Sequence, residues 1–332
     1  MISLLNRPLV SVILASYNHE NYVGEAIKSV LNQGVDNIEV IVIDDASTDG
    51  TASVVKKIND PRIKLIRLPE NRRYHPRNIG LKLARGKYIA FQNSDDRWEE
   101  GKLKKQIDFL EKNPNTAVCF TGVEIIDNHG KKLTGSWANN LFVKENKSRN
   151  EWLRFFFDCG NCFCISSALV SRKTIKKAGY FKPSFIQLSD FDMWVRLTAL
   201  GDIHVIPEKL TNMRVVKEKN ISAPSEPAIR RSSNEYTELL NRFLEKPLFG
   251  QLETIFRDVL PDKTTSQTVI LGGIAKHAWT LGAPHILFAN NIISKILDDP
   301  KKREELVSTY GVSIIHEYIK NRGKVGFLLK ND

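Results

Sequence analysis

The chain has 332 residues, of which 42% are hydrophobic and 26% are charged. This length suits one large α/β domain with an appendage, or two domains, and the composition excludes a disordered or collagen-like chain. The longest apolar runs fall far short of the roughly 18 to 20 residues that a membrane-spanning helix needs. Residues 1–7 lack a basic region followed by an apolar stretch, so no secretory signal is visible and we predict a cytoplasmic protein.

The net charge of +11 favours anionic partners, such as nucleotide phosphates or an anionic membrane surface, although a solvated basic surface gives the same number. No basic run is interleaved with aromatic residues, so we predict no nucleic-acid partner. Cys159, Cys162 and Cys164 cluster without an evident fourth ligand. The cluster therefore favours buried reduced thiols over a structural zinc site.

Strand and helix signals alternate through the first 120 residues. Residues 10–15 are a continuous apolar run, which is typical of a strand buried on both faces, and the apolar residues of 23–31 recur at helical spacing. The pattern continues with a strand at 39–43, a helix that Ser47, Thr48 or Asp49 can cap, a strand at 63–68, a helix at 77–84 and a strand at 88–92. This alternation predicts an α/β fold with a mainly parallel sheet flanked by helices.

The rest of the chain carries mixed and then helical signals. We predict strands at 117–120 and 163–170 and a helix at 190–200. Residues 216–227 are rich in Lys, Ser and Pro, which indicates a loop or linker, and residues 228–332 form a helical C-terminal region.

Polar side chains follow three strands of the predicted sheet. They are Ser16-Tyr17-Asn18, Asp44-Asp45 and Asn93-Ser94-Asp95-Asp96. Ligands of such sheets gather at the carboxyl ends of the strands, so we expect all three sets at one edge. The two Asp pairs would repel each other there, and a divalent cation or a hydrogen-bond donor on a ligand removes that repulsion. Mg²⁺ and Mn²⁺ are commonly held by one or two carboxylates together with substrate phosphates.

Four stretches resemble the family 2 glycosyltransferases, which are inverting enzymes of GT-A fold. They are residues 11–18, 40–50, 84–96 and 189–194, in the order and at the separations usual for the family. The resemblance implies a Rossmann-like GT-A sheet over residues 1–215. Residues 1–112 would be the nucleotide-binding half and residues 113–215 the acceptor half.

The resemblance also implies how the donor is bound. Ser16 and Tyr17 would line the base pocket, and Asp45 would accept a hydrogen bond from the base. A carboxylate suits the imide N–H of uracil or thymine, because it only accepts. Arg77 would lie near the diphosphate. The donor is then a nucleotide diphosphate sugar, with a UDP-sugar as the specific prediction.

The remaining implied roles concern the metal and the base. Asn93, Ser94 and Asp95 occupy the Asp-x-Asp position, Asp95 would be the ligand of Mn²⁺ or Mg²⁺, and Asp96 would complete the nucleotide-sugar site. Asp190 would be the general base that takes the proton of an acceptor hydroxyl on a glycan or glycolipid. Such base catalysis contributes about 100- to 10,000-fold. A helix-capping carboxylate is the alternative explanation of Asp190.

The sequence departs from the family pattern at two places. Asn93 stands where the family has the first Asp, and residues 213–219 contain no histidine after Arg214. Either the metal binds more weakly, or Arg214, Lys217 and Lys219 supply part of the positive charge on the phosphates.

Aromatic residues and the C-terminal helices suggest further contacts. Trp137 and Trp194 can stack on an acceptor sugar, with core packing as the alternative for Trp194. The C-terminal helices can pack on one another, on a second subunit as a homo-oligomer, or peripherally on an anionic membrane face.

Two other functions compete with sugar transfer. A nucleotidyltransferase also uses carboxylates and magnesium, but it would need a Gly-rich phosphate loop after the first strand, where this chain has Ser16-Tyr17-Asn18-His19. The second alternative is a catalytically inactive binding protein that kept the fold.

Overall fold

The computed structural model describes residues 7–72, 76–142, 145–216, 225–262 and 266–325. The chain forms two compact units. The first consists of Met1–Arg149 and Asn161–Ala223, and the second of Asn150–Gly160 and Pro224–Asp332. The predicted linker at 216–227 lies mostly outside the described residues.

Among the described residues, the first unit contains one eight-stranded sheet with the order β3-β2-β1-β4-β7-β6-β8-β5. The strands are β1 Val10–Ser16, β2 Ile38–Asp44, β3 Ile63–Arg67, β4 Tyr88–Asn93, β5 Arg97–Trp98, β6 Thr116–Ile126, β7 Leu169–Ser171 and β8 Asp202–Arg214. The first four strands are parallel to one another, as predicted. The sheet is mixed beyond them, because β7 runs antiparallel to β4 and β6, and β5 runs antiparallel to β8.

The helices of the first unit pack on this sheet through apolar faces. They are α1 Val23–Leu31, α2 Thr51–Lys57, α3 Arg77–Leu83, α4 Lys102–Lys112, α6 Arg172–Ala178 and α7 Ser189–Thr198. Val23, Ala26, Ile27 and Val30 bury one face of α1 in the same core cluster as β1 and β2. The spacing that predicted α1 is therefore the spacing of its buried face.

The stretch predicted as a strand at 163–170 is instead a 3-10 turn, Ile165–Ser167, followed by the three-residue β7. The main-chain N–H of Ser167 donates to the carbonyl of Cys164 over 3.0 Å, and its hydroxyl donates to the same carbonyl over 2.7 Å. These local bonds compete with a strand ladder, which is why an apolar run does not extend here. Cys162 and Cys164 are buried as predicted, whereas Cys159 is exposed.

The second unit is helical. Its helices are α5 Arg149–Cys159, α8 Glu226–Leu240, α9 Leu252–Ile255, α10 Gln267–Ala278, α11 Ala283–Leu297, α12 Pro300–Tyr310 and α13 Ser313–Val325. The sequence placed α5 in the acceptor half, but this segment clusters with the C-terminal helices. Within the described ranges, no helix combines the length and the apolar character needed to cross a membrane.

Helix α3 packs closely on β1 because it has a glycine at the contact. A Cβ on Gly80 would lie 2.6 Å from Cγ2 of the fully buried Ile13. We therefore expect Gly80→Ala to lower the free energy of unfolding by about 1 to 3 kcal/mol in urea titrations. Gly250→Ala is the control, since a Cβ there meets nothing within 4 Å, and we expect a change of about 0.5 kcal/mol or less. Equal losses in the two variants would contradict the close packing of α3.

Candidate functional site

The site is built at the carboxyl ends of three parallel strands. In the sheet register, Ser16 of β1 lies opposite Asp44 of β2, and Ala15 lies opposite Asn93 of β4. The three polar sets therefore begin at one edge, as predicted, with β1 in the middle. Because neighbouring strands are spaced about 4.8 Å apart, the ends of β2 and β4 are separated by roughly 10 Å.

The loops after β1 and β2 are fastened to each other. The main-chain N–H of Asn18 donates to the hydroxyl of Ser47 over 3.0 Å, and the N–H of Thr48 donates to Oδ1 of Asn18 over 2.8 Å. Asn18 and Ala46 have φ angles of 53° and 59°, in the left-handed region that few non-glycine residues adopt. The cross-links hold this strained backbone in place.

The two carboxylates at the end of β2 have different surroundings. Asp44 is fully buried, accepts the N–H of Ser47 over 3.2 Å and lies 3.3 Å from Nε of Arg67. One oxygen of Asp44 is thus hydrogen-bonded, and the other faces the guanidinium of Arg67. Oδ1 of Asp45 accepts the N–H of Arg72 over 2.9 Å.

Two residues predicted to bind the base, Ser16 and Tyr17, have groups that the other described residues do not use. Tyr17 is 44% exposed, so its ring has a face available for stacking. The hydroxyl of Ser16 is buried and has no hydrogen-bond partner within the described part of the chain. An unused buried hydroxyl fits a position that a bound polar group completes.

Residues 93–96 after β4, which we call the Asp loop, are held mainly through Asp96. Its side chain is 2% exposed and accepts three hydrogen bonds: from Nδ2 of Asn93 (3.1 Å), from the hydroxyl of Ser166 (2.5 Å) and from the main-chain N–H of Arg214 (3.0 Å). Burial raises the pKa of Asp96, and the negative charge of Asp95 raises it further. The Asp96 carboxylate thus anchors the loop through protein groups, and its predicted contact with the nucleotide sugar stays a prediction.

Asn93 and Ser94 are also engaged by neighbouring side chains. Oδ1 of Asn93 accepts a hydrogen bond of 2.6 Å from Arg77, and the hydroxyl of Ser94 lies 2.7 Å from Nδ1 of His19. His19 received no role from the sequence, and its position directly after the polar set Ser16-Tyr17-Asn18 was the available signal.

Within the described part of the chain, the hydrogen bonds that fix the Asp loop do not involve the carboxylate of Asp95. Burial raises its pKa, while the positive charges of Arg214 and Arg77 lower it. Among the described residues, no group of three or more His, Cys, Asp or Glu side chains can hold a metal alone. One free carboxylate fits a cation of the Mg²⁺ or Mn²⁺ type whose remaining ligands are phosphates and water.

Asp190 lies in the first turn of α7 and shares Arg77 with the Asp loop. Burial raises the pKa of Asp190 to about 6, although the N–H of Phe191 (2.8 Å), the charge of Arg77 and Nδ2 of Asn161 (3.3 Å) act against it. The Arg77 charge interacts with Asp190, Asp95 and Asp96, and its Nε is buried without an acceptor in the described chain. The guanidinium of Arg77 is thus near enough to Asp190 of α7 and to the Asp loop for their charges to interact.

Arg214 has a different role from the one expected for it. It is 1% exposed, so it is enclosed by the protein. Its guanidinium donates to the carbonyls of Asp95, Asp127 and Asn128 over 2.8, 2.8 and 3.1 Å, and to Oε2 of Glu25 over 2.5 Å. Because these bonds occupy its guanidinium, Arg214 holds the Asp loop in place and is not positioned to bind phosphates. Lys217 and Lys219 lie outside the described residues.

The two predicted acceptor tryptophans differ in exposure. Trp194 is fully buried and meets Phe120 edge to face at 4.9 Å between ring centroids, so it presents no face to a sugar and has the core role that was the alternative. Trp137 is 44% exposed. Exposure leaves Trp137 as a candidate for acceptor contact.

Ser166 also contacts the Asp loop, and the sequence analysis gave it no role. It lies inside the stretch predicted as a strand, and nothing in its local pattern distinguishes it from Ser167. Its contact with the Asp loop joins residues about 70 positions apart.

We expect Arg214→Met to lower the free energy of unfolding by about 3 kcal/mol or more, because three carbonyls lose a buried donor. Arg97→Met is the matched control, since Arg97 also pairs with Glu25 (3.0 Å) but is 31% exposed; we expect about 1 kcal/mol or less. Chemical denaturation measures both. Similar losses would refute the buried anchoring role of Arg214.

Comparisons with known proteins agree with this geometry. The family model described as Glycosyl transferase family 2 matches residues 11–172. The UDP-Glc:alpha-D-GlcNAc-diphosphoundecaprenol beta-1,3-glucosyltransferase WfaP of Escherichia coli is 43% identical over 194 residues, covering 58% of this chain and 71% of WfaP. Other curated glycosyltransferase relatives are matched over 51% or 66% of their length, so the chain spans about half to two thirds of them.

Solved structures show the fold. S. aureus TarS 1–349 in complex with UDP-GlcNAc has a TM-score of 0.56 at 18% identity, over 94% of this chain and 91% of that chain. The mannosyltransferase PcManGT from Pyrobaculum calidifontis, in complex with GDP-Man and Mn²⁺, has a TM-score of 0.55 at 17% identity, over 98% of this chain and 88% of that chain. With these folds, the family match and the WfaP relationship together, the chain belongs to the family 2 glycosyltransferases and has a GT-A type fold.

Proposed function

We propose that the protein is an inverting glycosyltransferase that moves a sugar from a UDP-sugar to a hydroxyl of a glycan or lipid-linked acceptor. The observation that carries the proposal is that the charge of Arg77, which is bonded to Asn93 of the Asp loop, interacts with both Asp190 and Asp95. A carboxyl group with a pKa of about 6 is suited to take a proton near neutral pH. Asp95 and Arg77 provide the charges that a diphosphate needs.

The base preference rests on Tyr17 and Asp45. An exposed aromatic ring after β1 and a carboxylate after the neighbouring β2 support a pyrimidine whose imide N–H donates to Asp45. The names of WfaP and of the TarS complex include UDP-sugars, while that of PcManGT includes a GDP-sugar. We therefore propose UDP as the nucleotide.

The chemical step is a single displacement at the anomeric carbon. Asp190 takes the proton as the acceptor oxygen forms its bond to that carbon, and the bond to the diphosphate oxygen breaks with its electron pair leaving on the diphosphate. Arg77 would stabilise this negative charge. A bound divalent cation, held by Asp95, would neutralise further charge on the diphosphate.

The proposal of a lipid-linked or glycan acceptor rests on the name of WfaP and on the exposure of Trp137. WfaP is named for an acceptor on a diphosphoundecaprenol lipid. Trp137, with 44% of its surface exposed, offers an aromatic face to sugar C–H groups. Self-association through the C-terminal helices and peripheral membrane association stay predictions.

Asp95→Ala should mainly affect UDP binding, whereas Asp190→Asn should mainly affect the rate of sugar transfer. We expect Asp95→Ala to lose Mn²⁺-dependent UDP binding in calorimetry, because its carboxylate is the proposed protein ligand. Asp190→Asn should keep that binding and lose at least about 100-fold in transfer, because it cannot take a proton. UDP release from a panel of UDP-sugars, with lipid-linked and free glycan acceptors, measures transfer.

The outcomes of these assays separate the competing functions. Binding without turnover on every donor and acceptor would favour the inactive binding protein. Pyrophosphate release from a nucleoside triphosphate would favour a nucleotidyltransferase. Full activity of Asp190→Asn would refute Asp190 as the base.

The pH dependence gives an independent test of Asp190. The base must be deprotonated, so kcat/KM should fall about tenfold per unit as the pH drops below the Asp190 pKa of about 6. The residual activity of Asp190→Asn should lack this limb and serves as the control. An acid limb near pH 4, the ordinary range of an aspartate, would contradict the raised pKa.

A further inference from the structure

We propose that Ser166 is a positioning residue of the donor site, which holds the Asp loop so that Asp95 is presented to the cation and the diphosphate. This inference rests on the proposed function and deepens it. Ser166 is fully buried and belongs to the 3-10 turn Ile165–Ser167. It therefore acts through the loop and does not itself contact a ligand.

The Ser166 hydroxyl binds both ends of the Asp loop. It accepts the main-chain N–H of Asn93 over 3.0 Å at the start of the loop, and it donates to Oδ2 of Asp96 over 2.5 Å at the end. One hydroxyl thus spans the turn that contains Asp95. Because a hydroxyl is both a donor and an acceptor, serine can make both bonds, which alanine cannot.

Side chains of the segment after the Asp loop hold the turn that carries Ser166. The indole N–H of Trp98 donates to the carbonyl of Ser166 over 2.7 Å. Nε2 of Gln106 donates to the next carbonyl, that of Ser167, over 2.8 Å, and Oε1 of Gln106 accepts from the buried Lys102 over 2.9 Å. These side chains fix the 3-10 turn, which then fixes the Asp loop through Ser166.

Loss of the Ser166 hydroxyl would leave two groups with fewer partners. The Asn93 N–H would lose its acceptor, and the buried Asp96 carboxylate would keep only the bonds from Nδ2 of Asn93 and the N–H of Arg214. Buried groups without partners move toward new partners or water. Asp95 would then lose its fixed position, while the loops that carry Tyr17 and Asp45 stay fastened to each other by the bonds of Asn18 to Ser47 and Thr48.

The neighbouring Ser167 provides a matched control. It is also buried, with 1% exposure, and its hydroxyl donates to the carbonyl of Cys164 over 2.7 Å. Ser167→Ala removes the same atom from the same turn without removing a bond to the Asp loop. A general loss of packing in the turn would affect both variants.

The experiment compares Ser166→Ala and Ser167→Ala in the full chain, with UDP as the probe, by calorimetry with Mn²⁺ and again with EDTA. We expect Ser166→Ala to weaken Mn²⁺-dependent UDP binding by about 10- to 100-fold, the usual effect of removing a partner behind a metal ligand. Binding in EDTA should stay within about twofold of wild type, since this part depends on the base pocket. Ser167→Ala should resemble wild type in both conditions.

Three results would overturn the inference: unchanged Mn²⁺-dependent binding in Ser166→Ala, an equal loss in Ser167→Ala, or an equal loss with EDTA. If Ser166→Ala does not fold by thermal melting, Ser166→Cys takes its place, because a thiol keeps the shape and bonds weakly. Wild-type affinity in Ser166→Cys would then overturn the inference. Absence of UDP binding by the wild-type protein would instead overturn the proposed function itself.

Discussion

The hydrogen bonds that converge on the buried carboxylate of Asp96 hold together the half of the sheet edge on which the site depends. They come from β4 through Asn93, from the 3-10 turn through Ser166, and from β8 through the N–H of Arg214. A carboxylate inside a protein is costly unless its oxygens are hydrogen-bonded. Two distant segments, the 3-10 turn and β8, must therefore meet the Asp loop at one place, and the loop that carries Asp95 is shaped by that meeting.

In both acidic pairs, Asp44-Asp45 and Asp95-Asp96, the two carboxylates have different surroundings. In each pair one carboxylate is directed to protein partners and anchors a loop: Asp44 lies beside Arg67, and Asp96 receives the three bonds described above. The adjacent carboxylate, Asp45 or Asp95, is then positioned by an anchored backbone. The negative charge of Asp95 still raises the pKa of Asp96, so the two carboxylates of the Asp loop repel each other despite these partners.

Arg77 gives the site its charge balance. Its interactions with Asp190, Asp95 and Asp96 oppose the desolvation that lowers its own pKa. A guanidinium stays protonated under such conditions, where a lysine would lose its proton more readily. The same burial raises the pKa of Asp190 to about 6, so a proposed base and a proposed phosphate contact are adjusted by one environment.

The first four strands, their helices and the edge where Ser16, Asp45 and Asn93 lie could be predicted from the amino-acid sequence, because hydrophobic periodicity and strand direction are local properties. The order of motifs also indicated the family. The anchoring roles of Asp96 and Arg214, the core position of Trp194 and the contact of Ser166 with the Asp loop became visible in the folded structure. Those roles depend on partners about 70 to 120 residues away along the chain, as in Ser166 to Asp96 and Arg214 to Asp96. Local patterns carry no record of such pairings, since the energy of a buried hydrogen bond belongs to both partners and to the packing that brings them together.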